Sequence, residues 1–222
     1  MSETPTTTPT ENEEEQGTEN EEEQGYEVYS TIGLRDVVIA KLLTDEAGST
    51  PTYDDVEPLV GAIDLDVSDN GGDPDVQDYD DHEGDVIYPS PDLRGTIEMA
   101  DVPPAMLAKL MGHRVDKYGV VVHNEEDKPP YFAWGFKSEK TNGKDRYVWY
   151  YKGRCRQMPQ DKHTTKPSNG KTPTRQTTKL QVTFIKLTST GDARVFVDED
   201  TEEFATQKAT FFAAPYTPDF NE

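Results

Sequence analysis

A chain of 222 residues with 44 Asp and Glu against 22 Lys and Arg carries a formal net charge of -22, and 32% of its residues are hydrophobic. That length holds one sizeable core, or one domain with tails, and so acidic a chain is not a general binder of nucleic acid. The single cysteine, Cys155, excludes an intrachain disulfide and fits assembly in a reducing compartment, while no apolar run is long enough to cross a membrane.

The charge is unevenly spread. Residues 1–25 hold nine Glu and no Lys or Arg, and residues 45–93 hold sixteen acids and no Lys or Arg. Residues 128–186 reverse the balance, with fourteen basic residues against three acids. The first segment contains TENEEEQG twice in tandem, at 10–17 and 18–25. Such a run buries too little apolar surface to offset its ordering entropy and reads as a disordered, solvated tail. It has neither the basic n-region nor the apolar h-region of a secretory signal. One domain is expected over 26–222.

From residue 32 the pattern changes. IGLRDVVIAKLL (32–43) has β-branched Val37, Val38 and Ile39 and reads as a strand, and PLVGAIDLDVS (58–68) alternates apolar and acidic residues like a strand with one wet face. Residues 69–92 are rich in Gly, Pro and Asp and read as a long loop, of a kind that is functional or disordered in compact domains. LRGTIEMA (93–100) returns to strand character. In DVPPAMLAKLMGH (101–113) Asp101 is placed to N-cap a helix, Pro103 and Pro104 suit its first turn and Gly112 its end. Met106, Leu107, Leu110 and Met111 form its apolar stripe. GVVV (119–122), KLQVTFIKL (179–187) and ARVFV (193–197) read as strands, with a basic Pro/Thr-rich loop over 159–175 and a short helix or turn at 202–205. The expected fold is mainly β: an antiparallel β-sandwich or barrel of two packed sheets with one flanking α-helix and long loops.

The richest segment is 130–156, PYFAWGFKSEKTNGKDRYVWYYKGRCR, with both tryptophans and eight of the 21 aromatic residues. Thr141-Asn142-Gly143 signals a tight turn. Phe132, Trp134 and Phe136 before it, and Tyr147, Trp149 and Tyr151 after it, recur at period two, which predicts a β-hairpin with one aromatic face against a core. Lys137, Lys140, Lys144, Arg146 and Lys152 are interleaved with the rings. Such a hairpin has a second use, as a stacking platform for carbohydrate or single-stranded nucleic acid.

Candidate chemistry is sparse. His82, His113, His123 and His163 stand at no metal-binding spacing, and Cys155 lies between Arg154 and Arg156, whose charge would lower its pKa, with no histidine arranged around it in sequence. DVSDNG (66–71) resembles the first half of a calcium loop, but position twelve is Gln77 and no helix flanks it, so it reads as an acidic turn. The Asp80-Asp81 pair lies in a loop unsuited to holding two carboxylates at a fixed separation. No enzyme and no cofactor are expected.

GAIDLDVS, DVPPAMLAKLMGHRVDKYGVVV, PPYFAWGFKSEKTNGKDRYVWYYKGR and FVDEDTEEF, in that order over residues 31–212, resemble the major tail proteins of long, non-contractile-tailed phages of Gram-positive bacteria. The resemblance implies a β-sandwich with a flanking helix whose sheets join around a hexameric ring. It further implies rings stacked head to tail into a tube through which double-stranded DNA passes without specific binding. Tape measure and tail-completion proteins would be the other partners, the virion tail the location after assembly in the host cytoplasm, and no membrane would be involved. The acidic repeat and the acidity of 69–92 depart from the family pattern. Within that loop Val76, Tyr79, Val86, Ile87 and Tyr88 are apolar residues a purely solvated segment does not need. They are the candidate ring-stacking contacts, with the basic block of a neighbouring copy as the expected match for the acids around them.

Overall fold

The computed structural model describes residues 28–79, 82–87, 91–156 and 175–220. The acidic repeat, Asp80-Asp81, Tyr88, His163 and residues 157–174 of the basic loop lie outside them. The strands are β1 (Thr31–Thr44), β2 (Thr52–Tyr53), β3 (Glu57–Pro58), β4 (Ala62–Asp69), β5 (Asp75–Tyr79), β6 (His82–Ile87) and β7 (Leu93–Met99). Helix α1 (Pro104–Met111) follows, then β8 (Arg114–Val115), β9 (Val121–Val122), β10 (Phe132–Lys140), β11 (Asp145–Cys155), β12 (Thr178–Phe184), β13 (Arg194–Asp198) and a 3-10 turn (Glu202–Thr206).

The protein is mainly β and antiparallel, with one α-helix among the described residues. In place of two separate packed sheets there is one nine-stranded sheet, ordered β2-β1-β10-β11-β12-β7-β4, with β3 beside β1 and β13 beside β11. Strand β11 is the branch point. One edge pairs with β10 from Phe132↔Gly153 to Glu139↔Asp145. The other pairs first with β13, along Arg146–Tyr150, and then with β12, along Gly153–Cys155. Val37 and Ile39 of β1, Trp134 of β10, Leu180 and Val182 of β12 and Ile97 and Met99 of β7 belong to one buried cluster. Strands far apart in the order share a core, so the sheet curls on itself, as twisted sheets do. Leu110 and Met111 of α1 close this first core.

The helix begins at the Pro pair and ends at Gly112, whose φ of 72° is left-handed and whose N–H bonds Ala108 O. A Cβ at Gly112 would stand 2.5 Å from Lys128 O, so the close approach also demands glycine. Asp101 does not cap the helix. Pro103 occupies the cap position without a side-chain bond, and Asp101 Oδ1 accepts from Val102 N at 2.9 Å.

The 130–156 segment forms the expected hairpin. Gly143 N donates to Lys140 O at 2.9 Å with φ 77° at Gly143, and Lys140 N donates to Lys144 O at 2.8 Å. This is a three-residue loop with glycine in the left-handed position. The single aromatic face is corrected, because both faces are buried. Trp134 opposes Tyr150, and Phe136 opposes Val148. Phe132, Trp134, Val148 and Tyr150, with half-buried Phe136 against them, face the first core. Tyr147 and Trp149 face a second one with Ala40, Ala133, Phe204 and Phe211, which Phe212 and Tyr216 help to close. Tyr151 is buried too, and its hydroxyl donates to Tyr216 O at 2.7 Å.

Candidate assembly surface

Residues 69–92 are not a structureless loop. Strands β5 and β6 pair as a two-stranded arm, from Asp75↔Ile87 to Tyr79↔His82, with Val76 opposite Val86. Main-sheet strands β4 and β7 pair with each other at its base, down to Asp69↔Leu93. Asp69 Oδ1 locks that base, accepting from Gly71 N at 2.9 Å and from Asp92 N at 3.0 Å. The arm therefore continues the β4–β7 hairpin outward as its own small sheet. Val86 and Ile87 are exposed, Ile87 by 59%. Residues 71–88 carry seven acids and no Lys or Arg. The calcium-like spacing of 66–71 is not a loop, because Asp66 and Ser68 lie on the extended strand β4.

The basic residues of the hairpin mostly meet acids of their own chain. Lys137 donates to Asp36 at 2.7 Å. Arg146 makes a two-pronged contact with Asp198, at 2.5 and 2.9 Å. Buried Lys140 donates to Asp198 at 3.0 Å and Asp200 at 3.2 Å. The Arg146 hydrogen bond, joined by Lys140 and opposed by burial, holds the Asp198 carboxyl down at about 2. Burial alone would lower the pKa of Lys140, but its two aspartate partners outweigh that and raise it. Lys152 meets Asp45, which also accepts from Thr188 N and Ser189 N at 2.9 Å. Burial opposes the Asp45 charge, yet these donors hold its carboxyl well below the usual range. Among the described residues, Lys144, Arg156 and Lys186 are cations of this block left on the surface.

Exposed apolar residues mark two further places. Ile63 lies on β4, which has only β7 as a strand partner among the described residues. Phe196 lies on β13, which has only β11, and its ring is covered by the guanidinium groups of Arg194 at 5.3 Å and Arg146 at 5.9 Å. A groove of about 520 Å³ runs between β1 and the β3–β4 link, lined by Leu34, Val38, Leu59, Val60 and Phe212 among others. Its rim holds the bulge in β1 where Asp36 has φ 52°.

The fold sets two reactive groups in surroundings that their sequence neighbours do not indicate. Cys155 is 1% exposed, and burial pushes its thiol up to about 12, against the lowering expected from Arg154 and Arg156. His113 and His123, ten residues apart in sequence, come together with Asp127. One ligand atom each from His113, His123 and Asp127 lie within 4.8 Å of one another. Neither spacing matched a metal motif, because the β8–β9 hairpin brings these residues together only in the folded chain.

Among the described residues no helix is long and apolar enough to cross a membrane. Comparison with protein-family models and with curated proteins finds no match to this chain.

Proposed function

We propose that this protein is the major tail tube subunit of a long, non-contractile-tailed phage, forming hexameric rings that stack into a conduit for DNA. The observation that carries the reading is the β5–β6 arm. An isolated two-stranded hairpin is marginal in water, and this one pairs with no strand of the main sheet among the described residues. It presents Val86 and Ile87 to solvent and holds only negative formal charge apart from His82. Such an arm gains its stability from a partner, and the partner a repeating subunit always has is another copy of itself. Strands β4 and β13, with one strand partner each among the described residues, offer edges where neighbouring sheets can join around a ring. The sequence resemblance over 31–212 points the same way.

The alternative, a binding module built on the aromatic hairpin, loses its platform because Trp134 and Trp149 are 2% and 0% exposed. The test replaces residues 71–88 with a short Gly/Ser linker and images both proteins by negative-stain electron microscopy. The wild type is expected to give rings and tubes, and the variant a folded subunit that does not elongate. High salt should slow wild-type elongation, since arm charges are screened over about 8 Å at physiological ionic strength. Normal tubes from the shortened protein would remove the arm from the stacking contact. A wild type that stays monomeric at all concentrations would overturn the assignment itself.

A further inference from the structure

His113 stands directly after the helix-ending Gly112, His123 directly after β9, and Asp127 four residues beyond. Pairing of β8 with β9, Arg114↔Val122 and Val115↔Val121, folds the two histidines to one place. Their rings meet edge to face with centroids 4.8 Å apart. His113 Nδ1 lies 2.8 Å from Asp127 Oδ2, which also accepts from Asn124 N at 2.8 Å. The His113–Asp127 contact would by itself tie the helix end to the loop. It does not call for a second imidazole against the first.

We propose that His113, His123 and Asp127 bind a divalent transition-metal ion, with zinc as the best fit. Two imidazoles and a carboxylate form a donor set of three-ligand zinc sites, which leave a fourth position for water, and imidazole nitrogen favours zinc and its neighbours over calcium or magnesium. Donors around a tetrahedral zinc stand roughly 3.3 Å apart, from bonds of about 2.0–2.1 Å. The separations here all lie within 4.8 Å; the wider ones contract to that spacing, while the 2.8 Å contact between His113 Nδ1 and Asp127 Oδ2 opens slightly to admit the ion. The side chains of His113 and Asp127 are 4% and 10% exposed and joined to each other, whereas His123 is exposed and meets His113 edge to face. The Asn124 N–H to Asp127 is the kind of outer bond that orients a ligating carboxylate. A bound ion would clip the end of α1 to the segment after β9. It would thereby stiffen the small hairpin that exposes Val115, Tyr118, Val120 and Val122.

The full chain is equilibrated with Zn²⁺, freed of excess by gel filtration and assayed by elemental analysis, with Co²⁺ as an optical probe. The wild type is expected to retain about one zinc per chain and to give the visible bands of low-coordinate cobalt. His123→Ala, at an exposed position, should fold as the wild type does by circular dichroism. It should bind zinc at least about 10-fold more weakly, since losing a ligand costs no less than losing an outer partner. Asp127→Asn, which keeps the side chain's shape, should weaken binding in the same direction. Zinc should raise the melting temperature of the wild type and not that of His123→Ala. No retained zinc, or equal retention by wild type and His123→Ala, overturns the site; the latter places the ion elsewhere, for instance on the acidic arm. Tube formation is not part of this readout, so the site and the assembly role stand or fall separately.

Discussion

Replacing Trp149 by alanine tests whether the hairpin is core or surface. Its ring is 0% exposed. The indole Nε1–H donates to Phe211 O at 2.9 Å, and the ring packs against Phe212 with centroids 5.4 Å apart. It also lies so close over Gly135 that a Cβ there would stand 2.8 Å from two of its carbons. Removing a buried tryptophan costs roughly 3–5 kcal/mol, and leaving the Phe211 carbonyl unpaired adds roughly 1 kcal/mol. The expected loss of roughly 4–6 kcal/mol is a large part of the 5–15 kcal/mol typical of a domain. At about 2–4 °C per kcal/mol for a domain of this size, the melting temperature should fall by roughly 10–20 °C. Urea and thermal unfolding followed by circular dichroism measure both. Trp149→Phe keeps most of the ring but loses the N–H, and should fall between wild type and alanine. A Trp149→Ala protein within about 1 kcal/mol of wild type would refute the two-core reading and return the ring to the surface as a ligand platform.

Two other outcomes follow from the same packing and charge arrangement. Gly153→Ala should destabilise by roughly 1–3 kcal/mol in urea unfolding through overpacking, because its Cβ would lie 2.7 Å from both Phe184 Cε1 and Trp134 Nε1; unchanged stability would mean that these rings shift freely. The depressed Asp198 carboxyl contributes stability that is complete above its ordinary value of 3.8 and is lost as pH falls towards about 2. After allowance for its partial exposure this is worth roughly 1–2 kcal/mol. Asp198→Asn should therefore flatten the acid limb of stability against pH between about 4 and 2, and an unchanged limb would assign acid sensitivity to other groups such as Asp45.

Much of the secondary structure was legible because its signals are local. β-branched residues marked β1, alternation marked β4, and the Pro pair and Gly112 bracketed α1. The faces of the hairpin were not legible. Aromatic residues stand at both parities, Tyr131 beside Phe132 and Tyr150 beside Tyr151, so alternation names no wet side. The second core is completed by Phe204, Phe211, Phe212 and Tyr216, more than fifty residues beyond Trp149, and nothing local announces that pairing. The arm was visible only as excess length, since Gly and Asp are depleted in strands generally and mask weak alternation. His113, His123 and Asp127 meet only through a two-residue-per-strand hairpin, β8–β9, which is shorter than any periodic signal can register.

The segregation of charge along the chain suggested that unlike blocks of neighbouring subunits attract one another. The fold changes that argument. Lys137, Lys140, Arg146 and Lys152 are taken up by Asp36, Asp198, Asp200 and Asp45, none of which belongs to the acid-rich stretch from Asp54 to Asp92. The basic block thus serves first to hold β10 and β11 to β1, to the end of β13 and to the loops at Asp45 and Thr188. The Lys152–Asp45 pair is shielded from solvent on both sides and Lys140 is buried, so salt screens these contacts little. Under the proposed assembly, the salt sensitivity of stacking comes from the arm and from the cations still on the surface. Salt sensitivity of folding comes from exposed pairs such as Arg35 with Glu139. The two therefore separate: salt that slows elongation should move the subunit's own unfolding transition less, because Lys152–Asp45 and the buried Lys140 are shielded and the apolar cores do not depend on salt bridges.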